Sequence, residues 1–94
     1  MTRYTVIWDD DLLAYYVRSW TESDPQTRAT LTEVANWVDR YLEFDVDTKG
    51  RPTIDGELQV TYVPVAHFRV TVTFEVFPDD RQVRVLRMTF VRED

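Results

Sequence analysis

Apolar residues recur along this chain with two periods, and the change between them falls near residue 57. Tyr4, Val6 and Trp8 alternate through a short β-rich run that stops at Asp9-Asp10-Asp11. Those acids suit a helix start, where a side-chain oxygen accepts an orphan backbone N–H and negative charge meets the positive end of the dipole. Leu13, Val17 and Trp20 follow at i, i+4 and i+7, joined by Leu12 and Tyr16, which predicts an amphipathic helix over about residues 10–21.

Ser23 with Gln26 fits a capping box, and Pro25 wastes no hydrogen bond in a first turn, so a second helix is expected to open here. Its core stripe is Leu31, Val34, Ala35, Val38 and Leu42, running to about Phe44. So short a break makes the two helices an antiparallel hairpin. Trp37, Tyr41 and Phe44 form a second, offset stripe, read either as more core or as a contact for a protein partner or a second copy.

Asp45 to Gly56 has the composition of a loop, with Lys49-Gly50-Arg51-Pro52 at its centre. Period two then takes over. Leu58, Val60 and Tyr62 alternate with polar residues. Phe68, Val70, Val72, Phe74 and Val76 alternate with His67, Arg69, Thr71, Thr73 and Glu75, predicting a long strand with one buried face. Pro78-Asp79-Asp80-Arg81 is turn chemistry. Val83 to Val91 is apolar on both parities apart from Arg84 and Arg87, as a central strand would be. The expected fold is α+β, ordered β-α-α-β-β-β, with the helical hairpin on one face of a mostly antiparallel four-stranded sheet. Residues 1–94 make one domain of that kind, since 94 residues leave no room for a second core.

Composition narrows the chemistry. The chain has no cysteine and one histidine, which removes disulfides, thiol nucleophiles and a His/Cys zinc site. With two glycines there is no phosphate-cradling loop, and no cofactor is expected. No apolar run reaches membrane-spanning length and the start lacks signal-peptide architecture, so a cytoplasmic location is expected. The net charge of −6 argues against holding nucleic acid by bulk charge. Its distribution is informative: residues 1–47 carry ten acids and four arginines, while residues 48–94 carry seven acids and seven bases. The strand half is therefore neutral, and its arginines can act locally. Arg69 falls on the polar parity of the long strand, with Arg87 and Arg92 on the next strand and its tail. Guanidinium groups so grouped can hold a phosphate bidentately and stabilise charge at a reacting phosphodiester. His67 at the strand end can move protons near neutral pH. Spacing alone equally allows these groups to pair with Glu75, Glu93 and Asp94 on a solvated face.

Several motifs resemble the RelE/ParE superfamily of type II toxin–antitoxin toxins, known also as plasmid-stabilisation proteins. Tyr4-Thr5-Val6-Ile7-Trp8 is similar to the family's YxVxW opening. Asp24-Pro25, Gly50-Arg51-Pro52, the segment His67 to Val76 and the ending Val83 to Asp94 follow in family order and spacing across nearly the whole chain. The resemblance implies a small toxin neutralised by a cognate antitoxin. One branch cleaves mRNA on the ribosome, and there Arg69 and Arg92 match arginines that hold the scissile phosphate. The other branch inhibits DNA gyrase without being a nuclease. The ribonuclease branch has lysines where this chain has Val60 and Tyr62, and a C-terminal tyrosine where this chain has none after Tyr62. The family's tail histidine and glycine are Phe90 and Val91 here. Two modes therefore stay open: an mRNA interferase using Arg69 and Arg92, with Arg87 or His67, or a gyrase inhibitor or non-catalytic protein-binding domain of the same fold.

Overall fold

A computed structural model describes residues 3–46, 49–52, 58–65 and 68–92. Strand β1 (Thr5–Trp8) leads into helices α1 (Asp10–Glu22) and α2 (Pro25–Glu43), followed by β2 (Arg51–Pro52), β3 (Gln59–Val65), β4 (Phe68–Phe77) and β5 (Gln82–Arg92). A 3₁₀ turn at Pro78–Asp80 joins β4 to β5, and Arg81 closes it with φ 53°, its N–H donating to the Pro78 carbonyl at 3.2 Å. The expected α+β order is present. The sheet, however, has five strands rather than four, in the order β1-β5-β4-β3-β2, because Arg51 and Pro52 pair with Val60 and Gln59 inside the stretch read as loop. A two-residue strand carries no alternation from which to recognise it.

The sheet is mixed. β3, β4 and β5 meander antiparallel, whereas β1 joins β5 in parallel, Thr5 beside Gln82 through Trp8 beside Val85. β5 is thus interior only along its first four residues. Opposite the Thr73/Phe74 junction β5 inserts one extra residue, Leu86, so that Phe74 faces Val85 and Thr73 faces Arg87. This bulge resolves the two-parity pattern of the sequence. Val83 and Val85 face the helices before it, and Met88 and Phe90 do so after it.

One layer of core lies between the sheet and α2. Val34, Val38 and Leu42 meet Val70, Val72, Phe74, Val83 and Val85, all fully buried, with Tyr4 and Val63 at the margin. Gly50 lets the chain pass close over this layer: a Cβ there would stand 2.7 Å from Gln59 Cβ and 2.9 Å from the Phe74 ring. The stripe Leu13, Val17 and Trp20, expected in the core, is instead 45%, 51% and 38% exposed. α1 buries no residue completely and uses its neighbouring face, with Leu12 against the core and Tyr16 edge-on to Trp8 at 5.5 Å. A core one helix wide is already filled by α2.

The caps differ in one detail from the sequence reading. Asp9 caps α1 as expected, its carboxylate accepting from Asp11 N–H at 3.2 Å. α2 is capped by Asp24 accepting from Thr27 N–H at 2.7 Å, not by Ser23. Ser23 is spent closing α1, its N–H donating to Trp20 and its hydroxyl to the Ser19 carbonyl. Each helix C-terminus is also covered by a cation from outside that terminus. Arg28 donates to the Trp20 and Thr21 carbonyls at 2.9 and 2.7 Å while lying 4.7 Å over the Trp20 ring. Lys49 donates to the carbonyls of Tyr41 and Phe44, the latter at 2.6 Å, with its Nζ 4.3 Å over the Tyr41 ring.

Two substitutions test this account by urea denaturation. Phe74→Ala should lose about 3–5 kcal/mol, as expected for an aromatic removed from a filled core. Lys49→Met, which keeps the aliphatic stem but removes the charge, should lose about 1 kcal/mol at the α2 C-terminus. An unchanged midpoint for either would refute the role given to that residue.

Candidate functional site

Two surfaces carry the residues singled out by sequence. The first is the sheet face turned away from the helices. Ladder register places Arg69 opposite Val91, Thr71 opposite Thr89, Thr73 opposite Arg87 and Glu75 opposite Arg84. β3 adds Tyr62, opposite Thr71 and 67% exposed. Three guanidinium groups thus share this face with one carboxylate, around a row of threonines. Arg69 and Arg87 stand four positions apart along the ladder, about 13 Å at the strand rise. Arg92 is opposite Phe68, whose parity is that of buried Val70 and Val72, so it belongs to the helix side. The arginines that the resemblance matches to one phosphate clamp therefore occupy opposite parities of the ladder. His67 lies outside the described residues.

The second surface is on the helical hairpin. Trp20 and Trp37 line a groove of about 570 Å³ together with Pro25, Ala29, Thr32 and Asn36 and the charged Arg28, Glu33 and Arg40. Trp37 is 43% exposed there. Its two companions in the stripe are placed differently. Tyr41 packs against the core beneath Lys49, and Phe44 caps α2 and forms an isolated bridge with Arg3. The structure thus separates Trp37 from Tyr41 and Phe44 and gives it Trp20 as neighbour. Sequence reading missed that pairing because only the hairpin crossing brings the two indoles together.

Behind the groove runs a polar chain that links α1, α2 and β1. Trp20 Nε1 donates to Thr32 Oγ1 at 3.1 Å, Tyr16 hydrogen-bonds the same threonine, and Trp8 Nε1 donates to Asp39 Oδ1 at 2.7 Å. Desolvation pushes the Asp39 carboxyl above the usual aspartate range, against the pull of the Trp8 bond and with help from the nearby Glu43 charge. Tyr16 is raised as well, chiefly by burial, with Thr32 opposing and Asp39 contributing. A second cleft, about 550 Å³, opens beside Asp39 between Arg3, Glu43, Asp80 and Arg81, with an Arg3–Glu43 ion pair at 2.7 Å across it. Among the described residues no cluster of three or more His, Cys, Asp or Glu side chains is arranged to hold a metal, and no helix is long and apolar enough to cross a membrane.

Comparison of the chain with models of protein families, with curated proteins and with solved structures returned no match.

The Asp39 environment makes a signed prediction. Its folded-state pKa is raised, so its contribution to stability is complete below the ordinary aspartate value of 3.8 and is lost as pH rises through the raised value. Asp39→Asn keeps an oxygen acceptor for Trp8 and removes the charge. It should raise the urea midpoint at pH 7, with the advantage shrinking toward pH 4. A variant less stable than the parent at pH 7 would show that the ionised carboxylate is needed.

Proposed function

We propose that this chain is a RelE/ParE-like, toxin-type component of a type II toxin–antitoxin pair that acts by binding protein rather than by cutting RNA. The lineage rests on the run of motifs from Tyr4 to Asp94 and on the helical hairpin placed between the first strand and the meander. The mode of action rests on one observation, the β4–β5 register that sets Arg69 and Arg92 on opposite parities. A phosphodiester clamp needs both guanidinium groups to converge on one phosphate. The face that does hold Arg69 presents Thr71, Thr73, Thr89 and Tyr62, and the chain's single lysine, Lys49, is committed to the end of α2. The Trp20–Trp37 groove has the make-up of a protein contact instead: two indoles and a proline beside Arg28, Arg40 and Glu33. A cognate antitoxin is the partner proposed for it, and the target is a protein of the translation or DNA-supercoiling machinery.

Induced expression in a bacterial host tests this reading. Growth should slow. Trp37→Glu should leave the arrest in place but stop a co-expressed antitoxin from relieving it, with the fold intact by circular dichroism, and Arg69→Ala should change neither. Messenger RNA on translating ribosomes should stay whole in the presence of the purified chain. Cleavage that disappears with Arg69→Ala would establish the nuclease and overturn the proposed mode. Unimpaired growth at high expression would overturn the toxin assignment itself.

A further inference from the structure

Charge is divided between the two sides of this molecule. Residues 9–44, which hold both helices and their caps, carry eight acids and three arginines. The outer face of the sheet has the reverse balance. Arg51 of β2 lies opposite Val60, in the row that runs through Thr73 to Arg87, and adds a fourth guanidinium to those of Arg69, Arg84 and Arg87. Glu75 is the one carboxylate among the described strand residues of that face. The bulge at Leu86 is what turns Arg87 onto it. At the Arg84 end the face is indented by a pocket of about 270 Å³, lined by Ile7, Phe77, Gln82, Arg84 and Asp80.

We propose that the outer sheet face docks an acidic segment of a partner protein, with one apolar side chain seated between Ile7 and Phe77 and carboxylates on Arg87 and Arg51. The pocket is smaller than a cofactor site and has the size of a single side chain. Asp80 at its wall turns carboxylates away from it, and Arg84 already stands between Glu75 and Asp80. Arg87 and Arg51 have only Thr73 and Val60 between them, about 14 Å across three strand spacings, and both are exposed. Arg69 is engaged within the chain and is not needed for this contact. The make-up of the face favours protein over nucleic acid. Arginine with Tyr62, Val60 and Ile7, and almost no acid, is the composition of a protein interface. Guanidinium groups so far apart do not follow a strand charged about every 3.4 Å. Tyr62 and Phe77 stand about 20 Å apart along the ladder, too far to stack successive bases. The face lies across the sheet from the helical hairpin, so the contact stands whether or not the Trp20–Trp37 groove holds an antitoxin.

The probe is a synthetic peptide alternating glutamate with leucine, titrated into isotope-labelled protein and followed by amide chemical shifts. Shifts should gather at Ile7, Thr73, Arg84 and Arg87, and binding should weaken as salt is raised. Arg87→Gln, at an exposed position, should weaken binding about threefold, and Glu75→Gln, which removes the opposing carboxylate, should strengthen it about threefold. Trp37→Glu should leave the affinity unchanged, which separates this contact from the groove. Equal binding of the peptide with glutamine in place of glutamate, shifts confined to the helices, or no shifts at millimolar peptide would overturn the proposal. So would a single-stranded RNA that binds this face more tightly than the peptide.

Discussion

The parallel joining of β1 to β5 is the constraint on which the rest of the structure depends. It is only four residues long, yet it is bracketed by Thr5 N–H on the Arg81 carbonyl and Asp9 N–H on the Val85 carbonyl, both at 2.8 Å. Parallel neighbours cannot be joined by a tight turn; here the helical hairpin carries the chain from β1 across the sheet to β2 and β3 at the far edge, and the β3–β4–β5 meander brings it back beside β1. Tyr4 is buried where β1 meets the end of α2, its N–H donating to the Glu43 carbonyl at 2.7 Å. Trp8 reaches Asp39 one helical turn before that end. β1 therefore fixes α2 at two points over the core, and beyond Trp8 no described strand continues alongside β5.

The helices are held by a second device, used twice. α1 could not rely on a wide hydrophobic seat, because the sheet is covered mainly by α2 and α1 buries nothing completely. Each C-terminus is instead closed by a cation that also lies over an aromatic ring of the same helix, Arg28 over Trp20 and Lys49 over Tyr41. The carbonyls left over at a helix end attract positive charge, and the ring face adds to that attraction. Arg28 also belongs to the first turn of α2, so capping α1 and fixing the hairpin are one interaction.

Much of this fold was legible in the sequence where periodicity was unambiguous. The stripe Leu31, Val34, Val38 and Leu42, the alternation from Phe68 to Val76 and the Pro78–Arg81 turn all appear where expected. The misreadings share a cause, which is that local pattern does not record what has already been filled. Leu13 and Val17 have core spacing but no core to enter. β5 does lie between β1 and β4, but only along its first four residues; beyond them its two-parity pattern comes from the bulge at Leu86, which switches its parity midway. The candidate site was less legible still. Arg87 and Arg92, five positions apart, fall on opposite faces in any register, and the inserted Leu86 decides that Arg87 rather than Arg92 shares the face of Arg69. The Trp20–Trp37 groove exists only through the crossing of two helices.

Lys49 is the single lysine of the chain; the other ten basic residues are arginine. Its ε-amine is committed to two backbone carbonyls and a ring face. Enzymes that neutralise protein charge by acylating lysine thus find no target among the arginines of the sheet face. The positive character of that face is set once, by translation, and cannot be adjusted by amine chemistry. Acylation of the Lys49 amine would loosen the end of α2 instead.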